Sequence, residues 1–120
     1  MKTYTFSSQY VDFVIDYLTQ NYAAVTRRIR NDRQGVMAIF IHEESEFRTG
    51  SYQTLTSVVE SDQNSEQAIL TVVGSGGGGG ICNFNWGSQR AGEDTIINNV
   101  RNLIEGHSRK YDDWYFEGQQ

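Results

Sequence analysis

The stretch best suited to chemistry in this chain is "VVGSGGGGGICNFNWG", residues 72 to 87, which holds five consecutive glycines, Gly76 to Gly80. Glycine-rich loops bind phosphates because bare backbone N–H groups can converge on an anion, best at the start of a helix. Gly74, Gly76 and Gly79 fit G-x-G-x-x-G, and Asp94 follows Gly74 by 20 residues, where a ribose-binding acid would stand. The dinucleotide fingerprint, however, needs a helix directly after its glycines. Here "ICNFNWG" alternates instead, with Cys82, Phe84 and Trp86 on one side and Ile81, Asn83 and Asn85 on the other, which is a strand pattern. No Gly-Lys-Ser/Thr follows either, so the P-loop fails.

A wide hairpin loop or bulged strand crossing remains. Each glycine costs of order 0.5–1 kcal/mol against alanine, and a simple turn needs only one or two. The excess points to close packing by a partner or to a nest of N–H groups around an anion. Ser75, Gly76, Gly77, Gly78, Gly79 and Gly80 are therefore the candidate binding residues, with Arg48 or Arg28 as counter-charge.

Other constellations are thin. His42 is followed by Glu43, Glu44 and Glu46, but neighbours in a strand face opposite ways and do not converge on one ion or proton. Cys82 shares its face with Phe84 and Trp86, which suits a buried small residue better than a nucleophile. Asp62 to Glu66 lacks the spaced ligands of a calcium loop. Arg27, Arg28, Arg30 and Arg33 can meet an anion, yet the cluster also reads as a solvated strand face and turn. No metal, cofactor or catalytic set is expected.

Composition narrows the class. The chain has 120 residues, one cysteine, no proline and a net charge of −5. That balance argues against nucleic acid, whose affinity comes from Lys and Arg opposite phosphates. One cysteine excludes an internal disulfide. No signal-like leader and no apolar run of membrane-spanning length is present, so a cytoplasmic setting is expected.

The elements that must position these residues follow from periodicity. Val11, Val14, Ile15, Leu18 and Tyr22 recur at helical spacing, predicting a helix over 8–22 with Ser7 or Ser8 as cap and Phe6 as staple. The spacing continues through Val25 and Ile29, so an extension to about 30 competes with the preferred strand, turn, strand reading of "AVTRRIRNDRQGVMAIFIHE". Strands are expected at 36–42, 52–60 and 67–74, and again after the glycines. A last helix is expected over 93–105, with Glu93 and Asp94 at its start and Gly106 ending it.

The order is helix, about five strands, helix. Short connections imply antiparallel pairing, and two amphipathic helices suit one apolar sheet face. The expected fold is an α+β two-layer sandwich, with residues 1–106 as one domain. Residues 107–120 form an acidic tail with Tyr111, Trp114, Tyr115 and Phe116, which reads as a terminus docking its aromatics, an extra edge strand or a contact for a second copy.

"GSGGGGGICNFNWG" before an acidic helix start resembles a family of small bacterial proteins defined as a domain of unknown function. Its members carry a strand ending in GSGGG, a short aromatic strand and Trp-Gly. The matching residues are Gly74 to Gly78, Phe84, Trp86 and Gly87, with Arg48 at the family's arginine position. In "SQRAGED" the acidic pair comes later than in the family, which shifts the expected helix start by a few residues. The resemblance implies the same fold and brings no activity. Function is expected to be a non-catalytic binding module, for a protein partner or a further copy of itself. The alternative is a small-anion or metabolite sensor built on the glycine loop.

Overall fold

The computed structural model describes residues 1–46, 51–76 and 92–107. The expected strand at 81–86, Gly77 to Gly80, Arg48, Cys82 and the tail aromatics lie outside the described residues. The chain is α+β. Five strands, β1 (Lys2–Ser7), β2 (Thr26–Asp32), β3 (Gly35–Glu46), β4 (Ser51–Asp62) and β5 (Gln67–Gly76), form one antiparallel sheet in the order β1-β5-β4-β3-β2. Helix α1 spans Val11–Asn21 and helix α2 covers 92–107.

The first departure from expectation is β1. "KTYTFS" alternates Tyr4 and Phe6 against Thr3 and Thr5, a strand period ahead of the helix expected as the first element. Phe6 is therefore a core residue, 5% exposed, paired with Ala68 of β5, and is no staple. Ser7 makes no side-chain cap bond. A 3-10 turn, Ser8–Tyr10, carries the chain into α1. The chain thus begins strand first, and the N-terminal segment takes an edge of the sheet.

The hairpin reading of 23–35 holds, and the long-helix alternative fails. Residues 26–32 carry two β-branched positions and pair along their length with β3. The turn is tight. Asp32 Oδ1 accepts from the Gln34 N–H at 2.8 Å, and Gly35 has φ +133°, a region that a Cβ makes costly. At the β4–β5 turn the Ser65 N–H donates to the Asp62 carbonyl at 3.0 Å. At the other end of the chain, helical structure runs through Gly106 to His107, so Gly106 does not end α2. A Cβ at Gly106 would meet open space, which is consistent with a position inside a solvent-facing turn of helix.

One alternating set on the sheet builds the core. Phe6 of β1, Ala38 and Phe40 of β3, Leu55 and Val59 of β4, and Ala68, Leu70 and Val72 of β5 are buried. The strand registers place all of them on one face. Val11, Val14, Ile15 and Leu18 of α1 join the same cluster, as do Ile96, Ile97, Val100 and Ile104 of α2. These are the helical stripes that the sequence spacing predicts.

Candidate interaction surface

The opposite sheet face has a different character. Register puts Met37, Ile39 and Ile41 of β3 side by side with Glu60, Val58 and Thr56 of β4, and these with Ile69, Thr71 and Val73 of β5. Six of these nine side chains are apolar. Ile69 and Val73 are exposed, at 43% and 38%, and Ile39, Ile41, Met37 and Val58 are half-buried. Around them stand Thr26, Arg28 and Arg30 on β2, Glu43 and Glu60, Thr54, Ser75, and Thr3 and Thr5 on β1. No helix among the described residues contributes to this face. The signal was present in the sequence, because "VMAIFIH" is apolar on both alternating sets. It reads equally well as a strand buried between neighbours, so periodicity alone does not single out a surface.

Of the sequence-derived candidates, Ser75 and Gly76 are the last two residues of β5, opposite Thr54 and Gln53. Arg28 sits at the exposed edge, opposite Ile39. Arg28 and Ser75 share the open face but are separated by three strand spacings and four residues of rise, about 19 Å apart. The described part of the glycine segment and Arg28 are not brought together.

His42 points to the helix side while Glu43 is on the open face, exposed, so the two diverge as the strand period requires. His42 accepts from the Ala24 N–H at 3.4 Å, and its ring packs edge-on to Tyr22 at 5.4 Å. The Tyr22 hydroxyl in turn accepts from Asn99 Nδ2 at 3.1 Å, which ties α2 to the end of α1. Tyr17 faces the same cluster. Burial, reinforced by Tyr22, holds its phenol above the ordinary value, against a smaller opposing effect of Asn99. Tyr4, beneath Arg101 at 5.3 Å, is also raised, first by burial and then by Glu105, with Arg101 opposing.

The one buried carboxylate among the described residues is Glu93, 4% exposed. Its Oε2 accepts from the Gly74 N–H at 2.8 Å, and its Oε1 stands 2.9 Å from the Met1 ammonium. Lys2 and Asp94 add a second ion pair alongside, at 3.2 Å. These contacts fasten the start of α2 to β1 and β5. Their chemistry is that of a joint, since both carboxylate oxygens are occupied. Among the described residues, no group of three or more His, Cys, Asp and Glu side chains could hold a metal ion.

The chain matches no protein-family model, no curated protein and no solved structure. No helix among the described residues is long and apolar enough to cross a membrane.

Proposed function

We propose that this chain is a non-catalytic, cytoplasmic binding module that works by associating with further copies of itself. Sheet and helices make a two-layer sandwich in which both helices cover one face, and the other face is the contact surface. The observation that carries this reading is the apolar centre of the face that no described helix covers, Ile39, Ile41, Val58 and Val73, ringed by threonines and charges. An antiparallel sheet with one face in water usually reads polar on that face. Protein interfaces instead have an apolar middle and a polar rim.

Threonine is nearly isosteric with valine and keeps the strand preference. A triple variant, Ile41→Thr with Val58→Thr and Val73→Thr, therefore removes the apolar surface while preserving the sheet. Sedimentation velocity over a concentration series is expected to show association of the parent chain and at least about tenfold weaker association of the variant. Urea unfolding of both checks that the variant is folded. A parent chain that stays monomeric throughout overturns the reading.

A further inference from the structure

Among the described residues the sheet has two unpaired edges, β1 and β2, and they differ in kind. β2 carries Arg27, Arg28 and Arg30. Antiparallel self-pairing centred on Ile29 sets Arg28 opposite Arg30 twice, and like charges directly opposed are destabilising. Charges of this sort blunt an edge against further pairing. β1 has no charged side chain beyond Lys2 at its start, and Thr3, Thr5 and Ser7 are exposed along it.

The ladder fixes which backbone groups of β1 face outward. The Ser8 N–H donates to the Glu66 carbonyl at 2.9 Å, which continues the β1–β5 register by one pair. Hydrogen-bonded pairs alternate along an antiparallel ladder. Lys2, Tyr4 and Phe6 therefore exchange bonds with β5, and the N–H and C=O groups of Thr3, Thr5 and Ser7 point away from it.

Helix α2 runs beside this edge in the direction of β1. Glu93 holds the Met1 ammonium, Arg101 stands over the Tyr4 ring at 5.3 Å, and His107 packs on Tyr10 and Phe13 beyond the strand's end. Asn99 reaches Tyr22 at the end of α1, so Arg101 and Glu105, one turn apart on the opposite side of α2, face the edge. Both are exposed, and neither is in an ion pair among the described residues. Arg101 to Glu105 rises about 6 Å along the helix, and Tyr4 to Phe6 spans about 7 Å of strand. Arg101 is thus level with Tyr4, and Glu105 with Phe6.

We infer that β1 pairs with β1 of a second copy of the chain, antiparallel and centred on Thr5, joining two sheets into one. Thr5 then opposes its own copy, Thr3 opposes Ser7, and about six outward backbone hydrogen bonds close. On the helix side Tyr4 meets Phe6 of the other copy twice, an aromatic cross-strand pair. The two α2 helices lie two to three strand spacings apart, about 10–14 Å, with Arg101 of each level with Glu105 of the other. Centring on Tyr4 closes only about four such bonds and brings Arg101 level with its own copy. Charge and hydrogen bonding select the same register. This inference rests on the reading of the chain as self-associating and adds a second contact, distinct from the sheet face.

The full chain carrying the three threonine substitutions of the sheet face isolates the edge. Sedimentation velocity at low ionic strength, where charges are least screened, is expected to show a residual dimer. Adding either Arg101→Glu or Glu105→Arg sets like charges level across the contact twice. Each is expected to weaken dimerisation at least about tenfold. An equimolar mixture of the two charge variants places opposite charges at both pairs, so the dimer is expected to return, which a change acting within one helix would not produce. Urea unfolding checks that both variants are folded.

Charge variants that dimerise like their threonine-substituted parent, or a mixture as weak as its components, overturn the edge contact. A parent that associates, with a threonine-substituted chain that is wholly monomeric, removes the edge contact and leaves the sheet face. If the threonine substitutions leave association unchanged while the charge variants disperse it, the sheet face falls and the edge stands. If the parent is monomeric at every concentration, both readings fall together.

Discussion

At the scale of single residues, two groups show how burial without full compensation shapes this domain. Ser57 sits on the core face of β4, opposite Phe40 and Val72, 1% exposed, and its hydroxyl has no hydrogen-bond partner among the described residues. A buried hydroxyl without a partner costs about 1–3 kcal/mol. Ser57→Ala is therefore expected to leave stability unchanged or to raise it by about 1 kcal/mol, the small void offsetting part of the gain. The urea midpoint measures this, and a loss above about 1 kcal/mol would mean that the hydroxyl is paired after all.

Tyr17 carries a pH dependence whose sign follows from its raised phenol. Below pH 10 both folded and unfolded chains keep the phenol neutral. As the pH rises past the ordinary value of 10.0, the unfolded chain ionises first and stability falls, until the folded pKa is passed. Urea midpoints at pH 9 and pH 11 are expected to drop more for the parent chain than for Tyr17→Phe. Equal drops would place the alkaline loss elsewhere.

At the scale of elements, two glycines differ in how much the chain around them constrains their conformation. Gly35 closes the β2–β3 turn with φ +133°, and a Cβ there would run into the Ser61 carbonyl oxygen. Gly35→Ala is expected to cost roughly 2–3 kcal/mol, read from the urea midpoint, because strain and backbone contact add. Gly106→Ala has open space and helical geometry, so it serves as the contrasting substitution, expected to be neutral or mildly stabilising.

These same two glycines show what the sequence can say. Gly35 was legible, because Asn31 to Gly35 has turn chemistry between two β-rich runs. Gly106 misled, because a glycine after a helical stripe marks a terminus only when the next residues leave the helix, and His107 does not. β1 was missed for a related reason. Thr3, Tyr4, Thr5 and Phe6 carry a strand period but no turn signal ahead of them, and only the pairing of Lys2 to Ser7 with β5 makes the segment a strand. The core stripes of α1 and α2 were readable residue by residue. The interaction face was not, since which side of β3 the helices choose is a tertiary fact.

At the scale of the whole molecule, the sheet order grades local stability across its width. β4 is central, with Gln53, Leu55, Ser57 and Val59 buried in alternation, and β5 beside it buries Ala68, Leu70 and Val72. β2 buries no residue and, among the described residues, is held by β3 alone. Local opening of an edge that uncovers no core costs far less than global unfolding. In dilute solution, amide hydrogen exchange is therefore expected to be slowest at Leu55 to Val59 and at Leu70 and Val72, and at least about 100-fold faster through Arg27 to Asn31.

If the chain self-associates, raising the protein concentration should slow exchange in the central strands, because association of the native state raises the free energy of global unfolding that their exchange reports. Central-strand amides that exchange at one rate from dilute to concentrated solution would mean that the chain does not associate.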